Sequence, residues 1–206
     1  LIFLLTLLYF YPIARGFVFS LQEISLFATS GGWVGMQNYV STVASSRFWG
    51  ALENGIVYTI GSVAVTLIVG VGTALVLNRS FVGKRFVTGL ILSPYMIPVV
   101  GIVLIFRWLF NGLNGVANYV FVQLGLVSEP IAWFSNPAYA MPVLILISGW
   151  ALYPFVTMLV LAKLQTIPHE YYEAADLMGA SRTRQFIAIT LPQLKSVLFV
   201  AILLRM

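Results

Sequence analysis

The chain has 206 residues, of which 60% are hydrophobic and only 8% charged, with a formal net charge of +5. A soluble domain carries about 25% charged residues because its surface faces water, so most of this surface must face a bilayer instead. With no cysteine and a single histidine, His169, disulfides, thiolate metal sites and multi-histidine metal sites are excluded.

A membrane-spanning helix needs about 20 mostly apolar residues. In chain order the sequence offers about five such segments, which predicts an all-α, polytopic membrane helix bundle. The first segment covers roughly residues 1–20 and is expected to break at Pro12 and Arg15. A signal peptide over 1–14 is the weaker reading, because Arg15 flanks the wrong end of the run. The stretch 21–52 is too polar to span. Its Trp33, Tyr39, Phe48 and Trp49 stand among Ser, Gly and Asn, a composition suited to the membrane–water interface. The second segment lies between Glu53 and Arg79, and the third between Arg85 and Arg107. Inside the third, Pro94 and Pro98 free backbone carbonyls that must be satisfied internally or by a cavity. Asn111–Gly112 and Asn114–Gly115 are turn signals in the loop 110–136. The fourth segment is placed at 138–162, after Asn136 and Pro137, and the fifth starts after Pro192. Leu1 begins inside one apolar run and Met206 stops inside another, so a single transmembrane domain truncated at both ends is expected.

Lys and Arg set the orientation. The loop 78–85 holds Arg79, Lys84 and Arg85, and the region joining segments four and five holds Lys163, Arg182, Arg184 and Lys195. The opposite side holds Arg15, Arg47 and Arg107, while Arg205 falls in segment five. The richer side is cytoplasmic by the positive-inside rule, which leaves 21–52 and 110–136 outside. The positive charge is therefore a topology signal, and no nucleic-acid partner is expected.

The stretch Leu164–Pro192 differs from the rest. Thr166 suits a helix cap and Pro168 a first turn, His169–Met178 holds no breaker, and Glu170, Glu173 and Asp176 favour the positive end of a helix. Gly179 suits a left-handed helix end. A second short helix is expected from Ser181 to about Ile189, with Pro192 opening segment five. The pattern alone fits an interfacial amphipathic connector as well as a docking element. Small residues at Ala174, Ala175, Gly179 and Ala180 allow close approach to a partner.

Here the sequence resembles a known family. Glu173-Ala174-Ala175, then Gly179, then Ile189-Thr190-Leu191-Pro192 matches at its spacing the "EAA" loop of permease subunits of bacterial ATP-binding-cassette importers. Val34-Gly35-Met36-Gln37-Asn38-Tyr39, Phe48 to Asn54, Pro94 to Pro98, Arg107 to Asn111 and Gly149-Trp150 resemble the carbohydrate-type branch, similar to maltose and glycerol-3-phosphate permeases. Two positions depart: Met178 stands where the family commonly has Asp, and Ala151 where a basic residue is frequent.

The resemblance implies a six-helix core, of which about five helices lie in this chain. It implies a multi-pass subunit of the bacterial cytoplasmic membrane, with a cytoplasmic coupling loop at 164–192. Glu173, Ala174, Ala175, Gly179, Ile189, Leu191 and Pro192 would then couple it to an ATPase. The implied partners are a second permease subunit, a cytoplasmic ATPase dimer that binds the ATP, and an extracytoplasmic solute-binding protein. No cofactor is expected on this chain.

Other classes fit less well. A membrane-embedded enzyme needs convergent titratable groups, and the spans offer only Arg15, Arg107 and Arg205. A secondary transporter or channel commonly shows intramembrane acids or inverted repeats, and neither is evident. The chain itself has no P-loop. Tyr58, Tyr95, Trp108, Trp150 and Tyr153 are candidates to stack on a sugar in the solute pathway, although each alone reads more readily as packing or as an interfacial anchor.

Overall fold

Where water cannot reach, a backbone satisfies its own polar groups most directly as a helix. The computed structural model describes residues 2–23 and 32–205, and among them the regular elements are helices joined by turns, apart from a bridge between Gln22 and Trp33. The chain divides into two compact units, Leu1–Ile56 and Val57–Met206.

In the first unit, α1 (Ile2–Ser20) runs unbroken through Pro12 and Arg15, against the expected break. Proline removes one backbone donor, which a long span tolerates. The Arg15 guanidinium lies 4.6 Å from the centre of the Phe19 ring one turn further on, so its charge rests on an aromatic face. The connection to α2 (Gln37–Ala44) is tied by Asn38, whose Nδ2 donates to the Ser20 and Gln22 carbonyls at 2.9 and 3.0 Å. Trp49 Nε1 donates to the Val43 carbonyl at 2.8 Å, fixing the bend where α3 (Ser46–Leu77) begins, well ahead of Glu53.

The second unit holds the rest of α3, then α4 (Lys84–Leu92), α5 (Val99–Leu109), α6 (Val116–Gln123) and α7 (Pro137–Leu164), followed by α8 (Glu170–Leu177), α9 (Arg182–Gln185) and α10 (Leu191–Arg205). Three helices among the described residues are long and apolar enough to cross a membrane: α3, α7 and the continuous helix Arg182–Arg205. The third apolar segment differs from the straight span expected of it. A 3-10 turn at Ser93–Met96 follows α4, and the chain bends by 97° before α5. The two prolines explain the bend. Pro98 disfavours helical backbone at the residue before it, and Ile97 is extended, with φ −82° and ψ 125°. The bent pair counts as a fourth crossing if it forms one broken span. The fourth segment matches its expected bounds closely, and the Asn136 side chain caps α7 by accepting from the Ala138 N–H.

Close packing of α3 on α7 relies on glycine. A Cβ at Gly61 would lie 2.6 Å from Ile145 Cδ1, and Gly149 faces Val65 at still closer range. Such small-residue contacts let helices approach in lipid, where the hydrophobic effect gives no drive. Tyr58 adds a hydrogen bond from its hydroxyl to Ser148 Oγ at 2.9 Å, and the Thr73 and Thr157 hydroxyls meet at 2.7 Å. The apolar core joins Ala74, Val156, Val160, Leu164 and Ile167 to Leu194 and Ala201 of α10.

The connection between α5 and α7 is organised by one polar side chain. Asn118, 3% exposed, donates to the Gly112 and Ile131 carbonyls and accepts from the Ile131 N–H and the Trp133 indole N–H, all at 2.9–3.0 Å. Asn111 Oδ1 accepts from the Leu113 and Asn114 N–H groups, realising the turn its Asn-Gly pair signals.

Candidate functional site

The stretch that leaves α7 and returns as the last long helix folds as a compact hairpin of helices. Thr166 does not cap α8, as the sequence suggests. Its hydroxyl donates to the Lys163 carbonyl at 2.8 Å and so closes the end of α7. Pro168 and His169 intervene, so His169 takes the N-cap position, without a side-chain cap bond. Ile167 is buried beside Leu164 and Leu194, which pins the start of the hairpin to the core. Glu170 and Glu173 occupy the first turn of α8, where a carboxylate meets unpaired backbone N–H groups.

Gly179 ends α8 as expected, with φ +72°. The Gly179 N–H donates to the Asp176 carbonyl and the Ala180 N–H to the Ala175 carbonyl, both at 2.9 Å, which is the Schellman arrangement. A Cβ at position 179 would meet nothing within 4 Å. Glycine is required there by backbone conformation and not by crowding. Ser181 then caps α9 by accepting from the Arg184 N–H at 3.4 Å.

The second arm corrects the expectation of a separate short helix with a new span opening at Pro192. The helix continues from Arg182 to Arg205. A π turn at Phe186–Thr190 carries it past the proline, with the Leu191 N–H donating to the Phe186 carbonyl. In a regular helix the Pro192 ring would collide with the carbonyl four residues back and leave that carbonyl without a donor. A wider turn relieves the collision.

Two polar ties close the hairpin, and sequence reasoning missed both. Gln185, 3% exposed, donates through Nε2 to Asp176 Oδ1 and, at 3.1 Å, to the Ala180 carbonyl. The Tyr172 hydroxyl meets the Thr190 hydroxyl at 2.9 Å. The available signal was two polar residues, Gln185 and Thr190, flanking the apolar run Phe186–Ile189 ahead of a span.

The seven motif residues fall into two groups. Glu173, Ala174 and Gly179 are exposed and Ala175 half-buried, all on α8 and its end turn. Ile189 packs against the core at the base of the hairpin, while Leu191 and Pro192 are exposed beside it. The Tyr172–Thr190 contact joins the two groups. At the outer tip Leu177 and Met178 are 91% and 87% exposed.

The five pathway aromatics are not gathered round one cavity. Tyr58 is half-buried on Ser148, and Tyr153 is buried in α7. Tyr95 stacks on Phe155 with 6.2 Å between ring centres, and Trp150 meets Phe106 edge-on at 5.1 Å. Trp108 is exposed on α5. A concavity of about 490 Å³ lies elsewhere, between Leu113 and Pro130 beside Asn118.

Comparison with known proteins places this architecture. Residues 66–206 match the family described as binding-protein-dependent transport system inner membrane component. The chain is 37% identical over 205 residues to the sulfoquinovosyl glycerol transport system permease protein SmoG of Agrobacterium fabrum, covering 98% of this chain and 65% of that protein. It is 32% identical over 194 residues to the trehalose/maltose transport system permease protein MalF of Thermococcus litoralis, covering 94% of this chain and again 65% of the relative. The chain thus spans just under two thirds of the length of these relatives. Its fold resembles a chain of a bacterial ABC transporter involved in the import of the acidic polysaccharide alginate, with a TM-score of 0.82 at 21% identity, over 98% of this chain and 68% of that one. A multi-pass helical fold with a capped, tied hairpin before its last long helix therefore has a family: the chain belongs to the binding-protein-dependent transport system inner membrane components.

Proposed function

We propose that this chain is a permease subunit of an ATP-binding-cassette importer in the bacterial cytoplasmic membrane. It forms part of the pathway for a sugar or a related polyol or glycerol phosphate. The observation that carries this reading is the hairpin 164–192. Glu173, Ala174, Ala175 and Gly179 stand at the family's spacing on a largely exposed helix and its end turn, and the hairpin's base is continuous with a span. A partner seated on α8 moves α7 and α10 together, because both pack into one core with Ile167 and Ile189. The names of the relatives support a carbohydrate-type solute.

The chain is non-catalytic in this scheme. A cytoplasmic ATPase dimer binds and hydrolyses the ATP, a second permease subunit completes the pathway, and an extracytoplasmic solute-binding protein delivers the solute. Tyr95, Trp108 and Trp150 keep exposed ring surface and are the aromatics we assign to solute stacking; Tyr58 and Tyr153 serve packing.

The test is co-purification of the ATPase with the full permease assembly. Gly179→Leu combined with Glu173→Ala is expected to reduce the ATPase recovered, or to leave hydrolysis uncoupled from uptake, while the permease still inserts. Gly72→Leu is the control, because a Cβ there meets nothing within 4 Å. Wild-type ATPase recovery and uptake in the double variant would reduce the hairpin to an interfacial connector.

A further inference from the structure

We propose that Tyr172 and Gln185 are positioning residues that lock α8 to the last long helix, so that the docking hairpin and α10 move as one body. The inference rests on the coupling reading above.

The argument starts from what α8 cannot do alone. It has eight residues, and isolated helices shorter than about 12–15 residues are marginal in water. Its placement must come from contacts. Near its start Tyr172 packs against the core cluster that includes Leu164, Ile167 and Leu194. The outer end carries Leu177 and Met178 in the open. An element held at one end pivots under load.

The polar ties supply the second point of attachment. Tyr172, in the first turn, holds Thr190, and Asp176, in the last turn, is held by Gln185. Gln185 also grips the Ala180 carbonyl of the end turn at 3.1 Å. Gln185 and Thr190 are 3% and 5% exposed. Buried polar groups without partners are costly, so the detached hairpin is disfavoured at both sites.

The positions of the ties relative to the π turn matter most. Gln185 directly precedes the turn, and Thr190 is its last residue. A π turn is where a long helix most readily bends. Both ends of that soft turn are therefore bound to α8. A displacement of the hairpin passes into α10 and is not absorbed at Phe186–Thr190. Asp176 thus has a role inside the hairpin, which separates it from the motif residues that face outward.

The experiment uses the assembled transporter, with the chain free of native cysteine. Spin labels on Glu170→Cys and Gln193→Cys, both exposed, report the distance from α8 to α10 with and without ATP and vanadate. In the otherwise wild-type assembly the distance distribution is expected to stay narrow and unchanged by nucleotide. Tyr172→Phe and Gln185→Leu each remove one tie, which raises the detached share about fivefold and both together about 25-fold. The double variant should then show a broadened, nucleotide-dependent distribution and ATPase activity less sensitive to the permease, with ATPase still co-purifying. Asp176→Asn keeps an acceptor for Gln185 and should behave as wild type. A nucleotide-dependent shift in the wild-type assembly, or an unchanged narrow distribution in the double variant, overturns the lock while leaving the docking reading intact. Absence of ATPase from the wild-type assembly overturns both.

Discussion

A Cβ placed on Gly70 would lie 2.7 Å from the Cβ of Val156 and 3.1 Å from the Tyr153 carbonyl oxygen. Val156 is 2% exposed in the centre of the core and has no room to retreat. Gly70→Ala should therefore cost about 1–3 kcal/mol through overpacking, even though alanine is the better helix former. Gly72→Ala, two residues on, has open space and should gain about 0.5–1 kcal/mol from helix propensity. Thermal unfolding of the two purified variants in one detergent checks the contrast, and equal shifts would contradict the close approach of α3 to α7.

Topology is tested by labelling in intact cells with an impermeant thiol reagent. Cysteine at Ser80 should stay unlabelled and cysteine at Val40 should react, because Val40 is 66% exposed in α2. Asn38 is the poorer probe site, since its side chain ties α2 to Ser20 and Gln22. Labelling at position 80 alone would invert the orientation.

Asn118→Leu removes both donors and the acceptor from the connection between α5 and α7. It strands the Ile131 N–H and the Trp133 indole among others. We expect a loss of about 3 kcal/mol, since each stranded buried group costs about 1–3 kcal/mol. Faster proteolysis within 110–136 would report it, and unchanged cleavage would show that Asn118 is dispensable.

At Gly179 the cost is conformational. Gly179→Ala should weaken the end of α8 by about 1 kcal/mol, and Gly179→Asn by less, because asparagine tolerates the left-handed region. Hydrogen exchange of the Ala180 amide, which donates to Ala175, measures the difference. Equal exchange in both variants would argue against the turn described.

The elements legible in the sequence were those set by local chemistry. Asn136 and Pro137 announce α7, the apolar run announces α3, and Gly179 announces its turn. The bend of 97° was half-legible: Pro94 and Pro98 flagged freed carbonyls, but their combined angle depends on the extended residue between them. Thr166 misled because a hydroxyl beside a helix start is also beside the end of the preceding helix. Gln185 and Asn118 could be read as polar residues but not as ties. Their partners lie 5 to 15 residues away across turns, and a polar residue in sequence does not reveal whether water or protein will satisfy it.

The π turn also sets an angular register. It holds one residue more than the turn it replaces, and one residue of an α-helix corresponds to about 100° of rotation. The faces of α10 that carry Leu194 and Ala201 into the core, at 0% and 1% exposure, are thereby phased against Arg182–Gln185 by the width of a single turn. Deleting one residue between Phe186 and Thr190 would leave a continuous helix of nearly the same length. The hairpin would then keep its phase, whereas closing the turn to regular helix without that deletion would dial it about a quarter-turn out of step with the span below it.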